Sequence, residues 1–313
     1  MKLINPARYT EADIREINQK VRHPEAFVLQ CEKDYQDQIE ALVEAVTLER
    51  ERYRVILLAG PSSSGKTTTA HKLSASFAKR GIGAPVVSLD DFFLGKERYP
   101  KKASGAPDME AVGALDLPFI NAALLELQQK GRSDFPRFDF TTSSRSAHVN
   151  PIVLEERDVL IVEGLHALNP RLVEVLDPQS LYRAFVSTRT KYMLDGIEVL
   201  SPKDNRLIRR IIRDHNFRNH DPIDTLLRWE DVLDGEEKYI DPFRDAAHFK
   251  IDSSHDYECC IFHHHILPMI DAFRYHGLYS RKVRQIYDIL EIFDDIDYSL
   301  IPADSLLREF IGA

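Results

Sequence analysis

The chain carries two kinds of hydrophobic pattern in succession. Up to about residue 52 it is charged, with Ile39, Leu42, Val43 and Val46 recurring at helical spacing between acidic residues. This predicts an amphipathic helical arm that packs against something rather than performing chemistry. The pattern then switches. Tyr53-Arg54-Val55-Ile56-Leu57-Leu58-Ala59 is a short β-branched run closed by Gly60, as expected of a strand buried on both faces. Helical periodicity returns over residues 66–80, with Ala70, Leu73, Phe77 and Ala78 on one side and Gly81 as a stop signal.

The alternation continues. Residues 85–89 form a second buried strand ending in Asp90-Asp91, and residues 120–130 a helix stopped by Gly131. Residues 158–162 form a third strand ending in Glu163-Gly164, and 182–186 and 248–251 predict a fourth and fifth. Strands alternating with helices imply a three-layer α/β fold around a parallel sheet. In such sheets ligands bind beyond the carboxyl ends of the strands, where Asp90, Glu163 and a glycine-rich loop all fall. Residues 95–151, rich in Pro, Gly, Ser and Asp, read as an insertion with a hairpin around 138–149, and 201–220 as an arginine-bearing lid. This divides the chain into an arm over 1–52, a core over 53–252 and a helical segment over 253–313.

Composition narrows the class. The 313 residues are 43% hydrophobic and 29% charged, enough for a substantial core. A net charge of −9 argues against a general nucleic-acid coat, which needs a basic face. The cysteines Cys31, Cys259 and Cys260 are odd in number and include an adjacent pair, which fits free thiols and a cytoplasmic location. No apolar run is long enough to cross a bilayer, so no membrane association is expected. The C-terminal helices suit either a homo-oligomer contact or a cover over the sheet. His263-His264-His265 lacks partners at metal spacing in the sequence and reads as helix surface.

The chemistry centres on Gly60-Pro61-Ser62-Ser63-Ser64-Gly65-Lys66-Thr67, followed by Thr68. It matches the Walker A pattern, with the required strand before and helix after. The glycines let successive N–H groups line a nest for phosphates, and the helix aims its positive end at the same anion. Lys66 is expected on the β- and γ-phosphates and Thr67 on Mg²⁺. Asp90 and Asp91 follow a strand where a carboxylate can orient an acceptor hydroxyl, take its proton or reach the metal. Glu163 occupies a Walker B position. Arg206, Arg209, Arg210 and Arg213 recur at spacings of three and four, which predicts one face of guanidinium forks, with Arg218 beyond it, to clamp phosphate oxygens.

Together these residues resemble the uridine kinase and phosphoribulokinase family of P-loop kinases. Ser88-Leu89-Asp90-Asp91-Phe92-Phe93, Pro107-Asp108, Phe138-Asp139-Phe140 leading to Ser144-Arg145, and Val162-Glu163-Gly164 follow the Walker loop in family order. The resemblance, over roughly 55–253, implies that ATP phosphorylates a small hydroxyl compound, with a nucleoside first among acceptors. It implies Asp90 as general base, Thr67 and Glu163 as Mg²⁺ ligands, Asp108 on ribose hydroxyls, and Arg206 and Arg209 reaching substrate and phosphates. Uridine-cytidine kinases typically carry tyrosine where Phe93 and Phe138 stand, and a base-reading histidine at Ser143. These departures leave the identity of the base unfixed by the sequence. A kinase of a sugar phosphate or pantothenate-like metabolite, and an ATP-binding regulator, remain as alternatives. No Asn-Lys-x-Asp guanine-reading motif is present.

Overall fold

The computed structural model describes residues 9–139, 144–275 and 280–312. Five strands, β1 (Val55–Ala59), β2 (Val86–Ser88), β3 (Leu160–Glu163), β4 (Leu181–Ser187) and β5 (Phe249–Asp252), form one sheet in the order β5-β4-β1-β3-β2. Every pairing in it is parallel; Val55 is opposite Leu160 on one side and Leu181 on the other. The order reverses at the central strand β1, so its carboxyl end opens a crevice between neighbours. This is the three-layer P-loop architecture.

Period two explains why β1 reads as a continuous apolar run. Ile56 and Leu58 face one layer; Val55, Leu57 and Ala59 face the other. The first layer contains α1 (Pro24–Leu48) and α2 (Lys66–Ala78), so Ile39, Leu42, Val43 and Val46 of the expected arm are fully buried in one core with the sheet. The second layer holds α3 (Leu117–Lys130), whose Ile120, Ala123, Leu124 and Leu127 cover the opposite face. Gly131 ends α3 in a left-handed conformation. Residues 10–13, ahead of α1, form a strand paired in parallel with Thr190–Leu194, which the charged pattern did not predict.

The insertion contains two antiparallel pairings. Arg132–Phe135 pairs with Asn150–Val153, and Phe138–Asp139 with Ser144–Arg145, the core of the expected hairpin. The arginine-rich segment is helix α4 (Pro202–Arg218), opened by a reciprocal capping box between Ser201 and Asp204. Helix α6 (Cys259–Ile270) packs against α4, and α5 (Trp229–Tyr239) meets it through the Arg206–Glu236 pair. No described helix is long and apolar enough to cross a membrane.

Candidate active site

The phosphate loop leaves β1 at Gly60. A Cβ there would lie 2.1 Å from the Val186 carbonyl oxygen, so only glycine lets β1 and β4 approach this closely. Ser63 holds a left-handed φ of 58°, and Gly65 one of 79° at the start of α2. Left-handed backbone at a non-glycine residue is costly and persists where the surroundings over-determine it. The side-chain oxygens of Ser63 and Ser64 are buried without a protein partner among the described residues. Buried hydroxyls normally find a partner, so this orphaned pair fits a cradle whose partner is a phosphate. Lys66 donates from Nζ to the Pro61 carbonyl at 2.9 Å and lies curled along the loop. Burial pushes its ammonium below the ordinary lysine range, opposed by the carboxylates of Glu163, Asp90 and Glu309.

Beside the loop, one oxygen of Glu163 accepts from Thr67 Oγ1 at 3.3 Å and from Ser88 Oγ at 2.6 Å. Two strand ends and the start of α2 thus meet at one carboxylate. Burial, and then the charge of Asp90, push the Glu163 carboxyl well above the usual range. A hydroxyl and a carboxylate oxygen converging beside a phosphate loop form a donor set that suits a hard divalent cation.

Asp90 and Asp91 share a 3₁₀ turn, Leu89–Phe92, but face different partners. Asp91 Oδ1 accepts from the Phe138 N–H at 3.0 Å and so pins the insertion. Asp90 acts electrostatically on Lys66 and Glu163 on one side and on Glu110 and Arg218 on the other. It is therefore within electrostatic reach of both the phosphate loop and the insertion. There Asp108 accepts from the Tyr239 hydroxyl at 2.8 Å. Phe93 packs against Phe138 and Tyr99 with ring centroids 6.0 and 6.1 Å apart. Ser143 and Phe140 lie outside the described residues.

The arginines do not form the single clamp that their spacing predicts. Arg206 grips Glu236 through both terminal nitrogens, at 2.5 and 2.7 Å, and donates to the Ser62 carbonyl at 3.1 Å. It braces the loop's backbone. Arg209 turns inward: its Nε donates to Glu258 at 2.6 Å, its Nη2 donates to the Ser253 carbonyl at 2.8 Å, and the residue is fully buried. The expectation that Arg209 reaches phosphates is thus corrected. At about 100° per residue it sits roughly 60° from Arg206 and 100° from Arg210 around the helix axis. Because α4 is packed on most of its circumference, that offset carries it into the core. Arg210 does face the loop, donating to Ser62 Oγ at 2.7 Å. Arg210, Arg213 and Arg218 surround the single carboxylate of Asp214, leaving a surplus of positive charge beside the loop.

Four further residues join the site. Glu236 and Tyr239 come from α5 and Glu309 from the C-terminal segment, none with a local signal. Glu110 lies two residues past Asp108 in the same turn; burial is the main force that pushes its carboxyl up to about 7. The histidine run also meets a partner after all: His263 and His264 both bring Nε2 to Asp295 Oδ1, at 2.5 and 3.2 Å. The acid comes from a distant loop, which spacing along the helix could not reveal.

The family model described as phosphoribulokinase / uridine kinase matches residues 55–259. The chain belongs to this family. Like its members, it is an ATP-dependent small-molecule kinase. Among relatives, the uridine kinase of Ureaplasma parvum is 24% identical over 198 residues, covering 63% of this chain and 86% of that one. The uridine kinase of Schizosaccharomyces pombe is 28% identical over 196 residues, covering 61% and 37%. Of solved structures, a putative fructose transport system kinase from Silicibacter shares the fold at a TM-score of 0.50 and 22% identity, covering 68% and 98%.

Proposed function

We propose that this kinase transfers the γ-phosphate of ATP to the 5′-hydroxyl of a nucleoside of the uridine or cytidine type. The observation that carries this reading is the charge of the acceptor side. Asp90 belongs to the turn after β2 and Asp108 and Glu110 to the insertion, and the charges of the two aspartates act on Glu110. A phosphorylated sugar brought there meets carboxylates, whereas the hydroxyls of a ribose find acceptors. Phe93 and Phe138 give the same end an apolar wall. Their lack of phenol groups leaves the edge of the base less closely read than a tyrosine pair would leave it.

In the proposed mechanism Asp90 accepts a hydrogen bond from the acceptor hydroxyl, aligns its oxygen with the γ-phosphorus and takes its proton as the oxygen–phosphorus bond forms. The phosphorus–oxygen bond to ADP breaks as the new one forms. Lys66, Arg210, Arg213 and Arg218 supply positive charge for the phosphoryl oxygens, and Arg206 holds the loop's shape through Ser62 and Glu236. Thr67 and Glu163, with Asp90 alongside, would hold Mg²⁺, which offsets phosphate charge when bound.

An ADP-release assay with Mg·ATP tests this against nucleosides, pantothenate and sugar phosphates. A nucleoside-dependent signal yielding the 5′-monophosphate is expected. A response confined to a phosphorylated sugar or to pantothenate would overturn the nucleoside reading.

A further inference from the structure

The C-terminal segment ends against the phosphate loop. A Cβ on Gly65 would lie 2.4 Å from Leu306 Cδ1, and Leu306, Leu307 and Phe310 are fully buried. The same segment is tied to the lid helix. Asn216 Nδ2 donates to the Phe310 carbonyl at 3.1 Å, and the Arg209 guanidinium sits 5.1 Å above the Phe310 ring. These contacts seat the short helix Arg308–Ile311 at one place on the start of α2. From there Glu309 Oε2 accepts from Thr68 Oγ1 at 2.6 Å and from the Thr68 N–H at 3.4 Å.

Thr68 is the third residue of α2. The first N–H groups of a helix have no partner within it. Thr69 is already satisfied, its N–H donating to the Gly65 carbonyl at 2.9 Å, so Thr68 marks the end of the open row. In a Walker loop that row cradles the phosphates of the nucleotide. Here a carboxylate of the same chain takes the Thr68 N–H and hydroxyl. Its charge is also felt by Lys66 and Glu163. Two anions cannot share the Thr68 donors without strong repulsion.

We propose that Glu309 is an internal competitor for the donor nucleotide: its carboxylate and a phosphate oxygen of the nucleotide take turns at Thr68. The buried residues around it keep the backbone of the segment docked while the side chain swings aside. The residue thereby sets nucleotide affinity from the far end of the chain. If the carboxylate occupies Thr68 nine-tenths of the time, apparent affinity falls by roughly tenfold. This inference concerns the nucleotide alone and stands whatever the acceptor is.

The test is calorimetric titration of ADP into the full chain carrying Glu309→Gln, Glu309→Ala or Glu309→Asp, with thermal melts of each. Glu309→Gln and Glu309→Ala are expected to bind ADP several-fold more tightly than wild type. Their ligand-free melting temperature falls slightly, because the contact to Thr68 is weakened to a neutral hydrogen bond in Glu309→Gln and lost in Glu309→Ala. Glu309→Asp, with one methylene less of reach, is expected to fall between, and gives the answer should the other two fail to fold. Unchanged or weaker ADP binding in variants that melt cooperatively would overturn the proposal and leave Glu309 as a support for Thr68. Since no acceptor is present, failure of the nucleoside assay would not touch this result.

Discussion

Arg206 and Glu236 form a two-toothed pair, 2.5 and 2.7 Å between guanidinium nitrogens and carboxylate oxygens, and both hold the backbone of Ser62. The pair is almost wholly buried and lies beneath a Trp229 ring 5.4 Å from the guanidinium carbon. It links the lid helix to α5 through the backbone of the phosphate loop.

Removing one partner of such a pair strands a buried charge, which costs about 3–5 kcal/mol. Arg206→Met and Glu236→Gln are each expected to lower the melting temperature markedly and to weaken ADP binding. The double variant should recover part of the stability, since it leaves neither charge alone. Chemical denaturation of the four proteins checks this. Additive losses would show that the two residues act separately.

Arg209 makes a contrasting prediction. Its contacts to Glu258 and Ser253 are structural, so Arg209→Met is expected to cost stability while KM for ATP stays within about twofold of wild type where the protein remains folded. Arg210→Met, by contrast, removes a guanidinium that faces the loop and is expected to raise KM for ATP about tenfold with little loss of stability. Steady-state kinetics set beside melting curves separate the two.

Glu110 gives a stability test with a definite sign. Its folded-state pKa is about 7, against an ordinary value of 4.5, mainly because the site is buried. Its contribution to stability is therefore fully present below about pH 4.5 and is lost as pH rises through 7. Glu110→Gln is expected to match wild type near pH 4.5 and to exceed it at pH 8 by on the order of 2–3 kcal/mol at most. Urea melts across that range check it; a gain independent of pH would contradict the assignment.

Much of the site's frame was legible because its residues are local in sequence. The Walker loop, Glu163 at a strand end and the Asp90 turn follow directly from the strand and turn patterns, and their convergence follows from a parallel sheet. What could not be read is what tertiary packing adds. Helical spacing put Arg209 beside Arg206 and Arg210, but which edge of α4 faces the core depends on Glu258, which enters from the start of α6. Likewise Glu236, Tyr239, Glu309 and Asp295 lie far along the chain from the groups they meet. The strand over 10–13 was missed because its pairing with Thr190–Leu194, not its composition, makes it a strand.

Asp90 and Asp91 supply the most direct test, because they are neighbours of the same type with different work. Asp91 holds the Phe138 amide, whereas Asp90 acts electrostatically on Lys66 of the phosphate loop and on Glu110 of the insertion. The decisive measurement is kcat with the identified acceptor for Asp90→Asn and Asp91→Asn, alongside ADP affinity. The account predicts that Asp90→Asn binds ADP normally and loses about 10²–10⁴-fold in kcat, while Asp91→Asn mainly raises KM for the acceptor. Near wild-type turnover in Asp90→Asn, with normal ADP binding, would contradict the assignment of Asp90 as the base.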